Sequence, residues 1–101
     1  MSAYMIIEVQ VLDPDAYAEY VARVPATVER YGGRYHVRGG RVTPIAGDWT
    51  PERVIIVEFP SLDHIRRWLE SPEYAELAPI RERATRGRAI AVEGIASEAG
   101  Q

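Results

Sequence analysis

Three glutamates, Glu8, Glu58 and Glu93, fall in three separate apolar-rich runs, and a fourth run, "YGGRYHVRGG", alternates Arg34, His36 and Arg38 with Tyr35 and Val37. Carboxylates gathered in a partly dry space repel one another, which raises the pKa of at least one and suits it to general acid or base work near neutral pH. Guanidinium forks grip a carboxylate or enolate oxygen at two points, and an imidazole beside them can add or take a proton. Each feature also has a structural reading. The glutamates read first as ion-pair partners of Arg34, Arg38 or water in a polar layer, and the basic run equally as a charged sheet edge that discourages aggregation.

Other chemistries find little support. The chain has no cysteine, which removes disulfides, thiolate nucleophiles and zinc-finger spacings together. His36 and His64 are its only histidines and share no ligand-spaced motif, so no metal is expected. Ser61 and Ser71 precede helix starts, where serine caps free backbone amides. The glycines around Arg34 lack the strand-to-helix setting of a phosphate loop, and no cofactor is expected. A net charge of −3 disfavours nucleic acid and acidic membrane surfaces. The four arginines Arg81, Arg83, Arg86 and Arg88 sit where they offset a helix dipole. The opening "MSAYMIIEVQV" reads as a strand, not a signal segment, and no apolar run is long enough to span a membrane. Every basic chain is arginine, with neither lysine nor asparagine present, the composition of a GC-rich genome. A bacterial cytoplasm is the expected setting.

The elements that must position these residues follow from period and punctuation. Tyr4 to Val11 alternates as a strand, with Met5, Ile7, Val9 and Val11 on one side. Asp13-Pro14 starts a helix whose stripe is Tyr17, Tyr20, Val21, Val24, Val28 and Tyr31; Pro25 should kink it and Gly32-Gly33 end it. A second strand follows, with a bulge or bend at Gly39-Gly40 before "RVTPI", and Pro44 confines it to a sheet edge. Arg53 to Phe59 is the third strand. A helix begins at Ser61, is redirected at Ser71-Pro72 and runs to Gly87, and Arg88 to Gly94 is the last strand.

The order β-α-β-β-α-β in one domain of this size predicts an α+β, ferredoxin-like fold: a four-stranded antiparallel sheet with helices on one face. Residues 1–96 form the domain and 97–101 a flexible tail. The more apolar side of each strand is assigned to the helices. The other face then collects Tyr4, Ile6, Glu8, Gln10, Arg34, His36, Arg38, Val54, Ile56, Glu58, Ala91 and Glu93, too apolar for open water. A second copy of the sheet would cover it, and Trp49 would pack at that contact or line a pocket mouth.

"YGGRY", "VRGG", "GDWTPERVIIVEFPS", Trp68, "SPEY" and "VEG" together resemble the small domain-of-unknown-function family numbered 1330, within the dimeric α/β barrel superfamily. The resemblance implies a homodimer whose two sheets enclose a shared barrel interior. The expected role is binding a small anionic or carbonyl-bearing molecule there, lined by Tyr4, Glu8, Arg34, His36, Arg38, Trp49, Glu58 and Glu93. Glu8, His36 and Glu58 are the candidates for moving a proton. The wider superfamily includes cofactor-free monooxygenases, isomerases and dehydratase-like proteins acting on cyclic or aromatic compounds, which keeps an enzyme as one alternative. A dimeric interaction module without catalysis is the other.

Overall fold

Among the described residues, seven elements follow in the order β1 (Ala3–Val11), α1 (Pro14–Arg30), β2 (Arg34–Arg38), β3 (Arg53–Phe59), α2 (Leu62–Leu69), α3 (Pro72–Ala84) and β4 (Thr85–Glu93). This computed structural model describes residues 1–95; the expected tail, 97–101, lies outside the described residues. The strands pair antiparallel in the order β2-β3-β1-β4, the ferredoxin-like arrangement.

Local chemistry sets the helix boundaries. The Asp13 side chain accepts a hydrogen bond from the Ala16 N–H, and Pro14 sits in the first turn where no donor is needed. α1 then runs through Pro25 as one element and closes where the Gly33 N–H donates to the Val28 carbonyl. Ser61 caps α2 by accepting from the His64 N–H. Buried Ser71 accepts from the Tyr74 N–H and donates to the Trp68 carbonyl, so one hydroxyl ends α2 and starts α3.

The core lies between the sheet and the helices. Ala3, Met5 and Val9 of β1 and Ile55, Val57 and Phe59 of β3 face Tyr20, Val24 and Val28 of α1, with Ile65, Trp68, Leu77 and Ile80 closing the far side. Trp68 packs against Phe59 and Tyr74, with ring centroids 5.6 and 4.5 Å away, and its indole N–H donates to the Thr27 hydroxyl at 2.9 Å.

Two strands depart from their sequence reading. β4 begins directly after Ala84 instead of at Arg88, and Gly87 is a strand residue, not a helix stop. A Cβ on Gly87 would collide with the Glu8 carbonyl oxygen, so glycine is there to let β4 lie against β1. The faces of β4 are also reversed. Ile90 stands opposite Ile6 and Val92 opposite Tyr4, both away from the helices, while Ala89, Ala91 and Glu93 take the helix side. β2 stops at Arg38, and residues 39–52 form no strand. Its bulge is at His36, between Tyr35 and Val37, and not at the glycine pair.

Candidate functional site

The outer face of the sheet, away from the helices, carries most of the polar residues singled out in the sequence. Tyr4 and Arg34 both stand opposite Glu58. Glu58 accepts from the Ser2 hydroxyl at 2.6 Å and from Arg34 at 3.1 Å, and His36 Nε2 lies 2.7 Å from the same carboxylate. These three partners, Ser2 foremost, hold the Glu58 carboxyl down at about 2. That corrects the expected upward shift. Glu8 is not beside it: Glu8 stands opposite Val54 and Arg88 and is paired with Arg88 at 2.7 Å. Each glutamate therefore has its own cation, and repulsion between them has no occasion to act.

Glu93 is absent from this cluster because it stands opposite Ala3, on the helix side. Arg38 leaves it too. The bulge at His36 lets one extra residue into β2, so that Val37 stands opposite Ile56 and Arg38 opposite Ile55, and Arg38 is carried to the helix side. Trp49 is 56% exposed and borders a hollow on the outer face with Ile6, Val54, Arg88 and Ile90.

The larger apolar cleft is on the other side of the sheet, under the helices. Its volume is about 330 Å³, and Met5, Ile7, Val24, Ile65, Trp68 and Leu69 belong to its apolar lining. A largely apolar concavity with a few convergent polar groups is the usual form of a small-molecule site. Here those groups are four tyrosines and three arginines: Tyr17, Tyr20, Tyr35 and Tyr74, with Arg38, Arg53 and Arg81. The Tyr20 hydroxyl donates to that of Tyr74 at 3.3 Å. Burial, reinforced by Tyr74, pushes the Tyr20 phenol far above its ordinary value, and burial also raises Tyr35, so both keep their protons.

Two of the arginines, Arg38 and Arg53, lie against aromatic faces. Arg53 donates from Nε to the Tyr17 hydroxyl at 2.9 Å and lies 5.5 Å from that ring's centroid, while Arg38 lies 4.8 Å from the centroid of Tyr35. Gly39 leaves room for the Arg53 guanidinium; a Cβ there would collide with it, and a backbone φ of +78° suits glycine independently.

The family follows from comparison with known proteins. Residues 2–95 match the family described as a domain of unknown function (DUF1330). The chain belongs to it. Among solved structures, a protein of unknown function from Rhodopseudomonas palustris is similar with a TM-score of 0.74 and 25% identity, over 94% of this chain and 83% of that one. SnoaB, a cofactor-independent oxygenase from Streptomyces nogalater, gives a TM-score of 0.65 at 13% identity over 97% of both chains. HapK from Hahella chejuensis gives 0.64 at 19% over 98% of both. The last two likenesses are of fold alone. Comparison with curated proteins finds no match.

In this DUF1330 chain Arg38 is the one polar residue of the cleft among the sequence candidates for ligand binding; Tyr17 and Tyr20 read there as a helix stripe. One signal was present. Tyr74, Leu77, Arg81 and Ala84 recur at three- and four-residue steps, which puts an arginine on the buried stripe of α3.

Proposed function

We propose that this protein binds a small, largely apolar molecule with an anionic or carbonyl head in the cleft between sheet and helices. The cleft itself is the observation that carries this reading: its wall is apolar except for four phenols, of which burial keeps Tyr20 and Tyr35 protonated, and three guanidiniums that form no carboxylate pair among the described residues. On this reading the ligand lies there and not in the space between two facing sheets. Tyr4, Glu8, Arg34, His36, Trp49 and Glu58 then belong to the outer face and to its cover.

That cover is a second copy of the chain. Ile6, Val54 and Ile56 lie on the outer face, half-buried, and Ile90 and Val92, 60% and 44% exposed, extend the same patch. An apolar patch across three strands, rimmed by the Glu58–Arg34 and Glu8–Arg88 pairs, suits a self-complementary contact.

Binding is tested by calorimetric titration with small aromatic acids and phenols. Ala91, exposed and lining the cleft, provides the control: Ala91→Trp fills it from a strand position that costs the core little. Saturable binding lost in Ala91→Trp supports the reading; binding unchanged by that substitution contradicts it.

A cofactor-free enzyme is the second reading. SnoaB, of similar fold, is an oxygenase that works without a cofactor, but fold likeness carries no activity by itself. What favours it here is the Tyr20–Tyr74 hydroxyl pair, a proton-holding donor that can stabilise a developing oxyanion. Product formation from a bound phenol that disappears in Tyr20→Phe is the corresponding result.

A further inference from the structure

We infer that the cleft is selective for a carboxylate and that Arg81 is the residue that holds it; this rests on the cleft being the ligand site. Three arginines line the cleft, and no aspartate or glutamate does among the described residues. The ion pairs formed elsewhere use Arg23, Arg30, Arg34, Arg67 and Arg88, none of which lines it. The positive charge of the cleft is thus uncompensated by the protein, in an apolar wall where a charge acts over a longer range than in water.

Arg81 differs from the other two. Arg38 and Arg53 are each laid against a tyrosine ring, and Arg53 also spends its Nε on Tyr17. The Nε of Arg81 is buried and has no hydrogen-bond partner among the described residues. A charged donor left without an acceptor in an apolar wall is costly, and an acceptor brought by a ligand would relieve that cost. The guanidinium fork takes a pair of negative oxygens at two points, and a carboxylate offers such a pair with the least polar surface to bring into an apolar wall. Tyr20 lies within the influence of the Arg81 charge, and its neutral hydroxyl belongs to the same cleft. The apolar remainder, with Met5, Ile7 and Trp68, takes an aromatic or short aliphatic body.

The test pairs acids with their uncharged amides. Benzoate, 2-naphthoate and octanoate are titrated calorimetrically into the full chain beside benzamide, 2-naphthamide and octanamide, with wild type, Arg81→Met and Arg81→Lys. The expected result is an acid-over-amide preference of about tenfold or more in wild type, reduced to about twofold or less in Arg81→Met and partly restored in Arg81→Lys. Equal affinity of wild type for acids and amides overturns the carboxylate assignment while leaving the cleft as a binding site. An undiminished preference in Arg81→Met overturns the role of Arg81. Failure of every acid and amide to bind wild type overturns the cleft reading itself. The wild-type comparison stands even where a variant does not fold.

Discussion

Tyr35 and Arg38 share the helix side of the sheet, with the guanidinium 4.8 Å from the centre of the ring, although they are three residues apart on one strand. Strict alternation would put them on opposite faces. The extra residue at His36 resets the alternation, so one strand contributes to both faces: Arg34 and His36 meet Glu58 on the outer face, and Tyr35 and Arg38 line the cleft. The bulge is therefore the device that separates the polar network of the outer face from the apolar cleft behind it.

Glu58 links the outer-face network to pH. Its folded pKa, about 2, lies below the ordinary 4.5, so between these values the unfolded chain binds more protons than the native one. The stabilisation is complete above about 4.5 and is lost as pH falls toward 2. Denaturant unfolding of wild type and Glu58→Gln across that window should show the wild-type advantage shrinking with acid. Parallel curves for the two proteins would mean that the Ser2, His36 and Arg34 contacts do not hold the carboxylate.

Gly87 and Gly40 should respond oppositely to the same change. A methyl at Gly87 meets the Glu8 carbonyl, whereas a Cβ at Gly40 has no atom within 4 Å. Gly87→Ala is expected to destabilise by about 1–3 kcal/mol, as overpacked sites do, and Gly40→Ala to stay within about 0.5 kcal/mol of wild type. Urea midpoints measure both. A neutral Gly87→Ala would show that β4 does not lie so close to β1.

The sequence revealed elements more readily than faces. Asp13-Pro14, Ser61 and Ser71-Pro72 act through side chains or rings on their own backbone, so each boundary is visible in a few adjacent letters. The period-two pattern of β1 and β3 was equally plain, since both are central strands with one side in the core. β4 misled because its helix side is small, Ala89 and Ala91, while Ile90 and Val92 face outward. A rule that turns the larger residues toward the helices fails where a second apolar face exists. The bulge at His36 carries no glycine to mark it, whereas the conspicuous Gly39-Gly40 pair lies beyond the strand end. The cleft was the least visible feature, because a space between elements depends on how α1, α2 and α3 sit over the sheet and not on any local spacing. Only Arg81 on its buried stripe hinted at it.

Assembly should follow the outer-face patch. Light scattering at micromolar concentration is expected to give twice the 11.3 kDa of one chain. The double substitution Ile6→Glu with Ile90→Glu places like charges directly opposite each other on β1 and β4 and should give single chains with the fold retained by circular dichroism. A wild-type monomer, or a dimer indifferent to those charges, would assign the patch another role.

The cleft reading is tested most directly by a nuclear magnetic resonance titration of the full chain with 2-naphthoate. The Trp68 indole N–H, fixed on Thr27 beside the cleft, and the amides of Ala89 and Ala91 should shift together and saturate, while those of Val54 and Ile56 on the outer face stay in place. Saturable shifts confined to Ile6, Val54 and Ile56, with Trp68 unmoved, would put the ligand between the sheets instead and contradict the site proposed here.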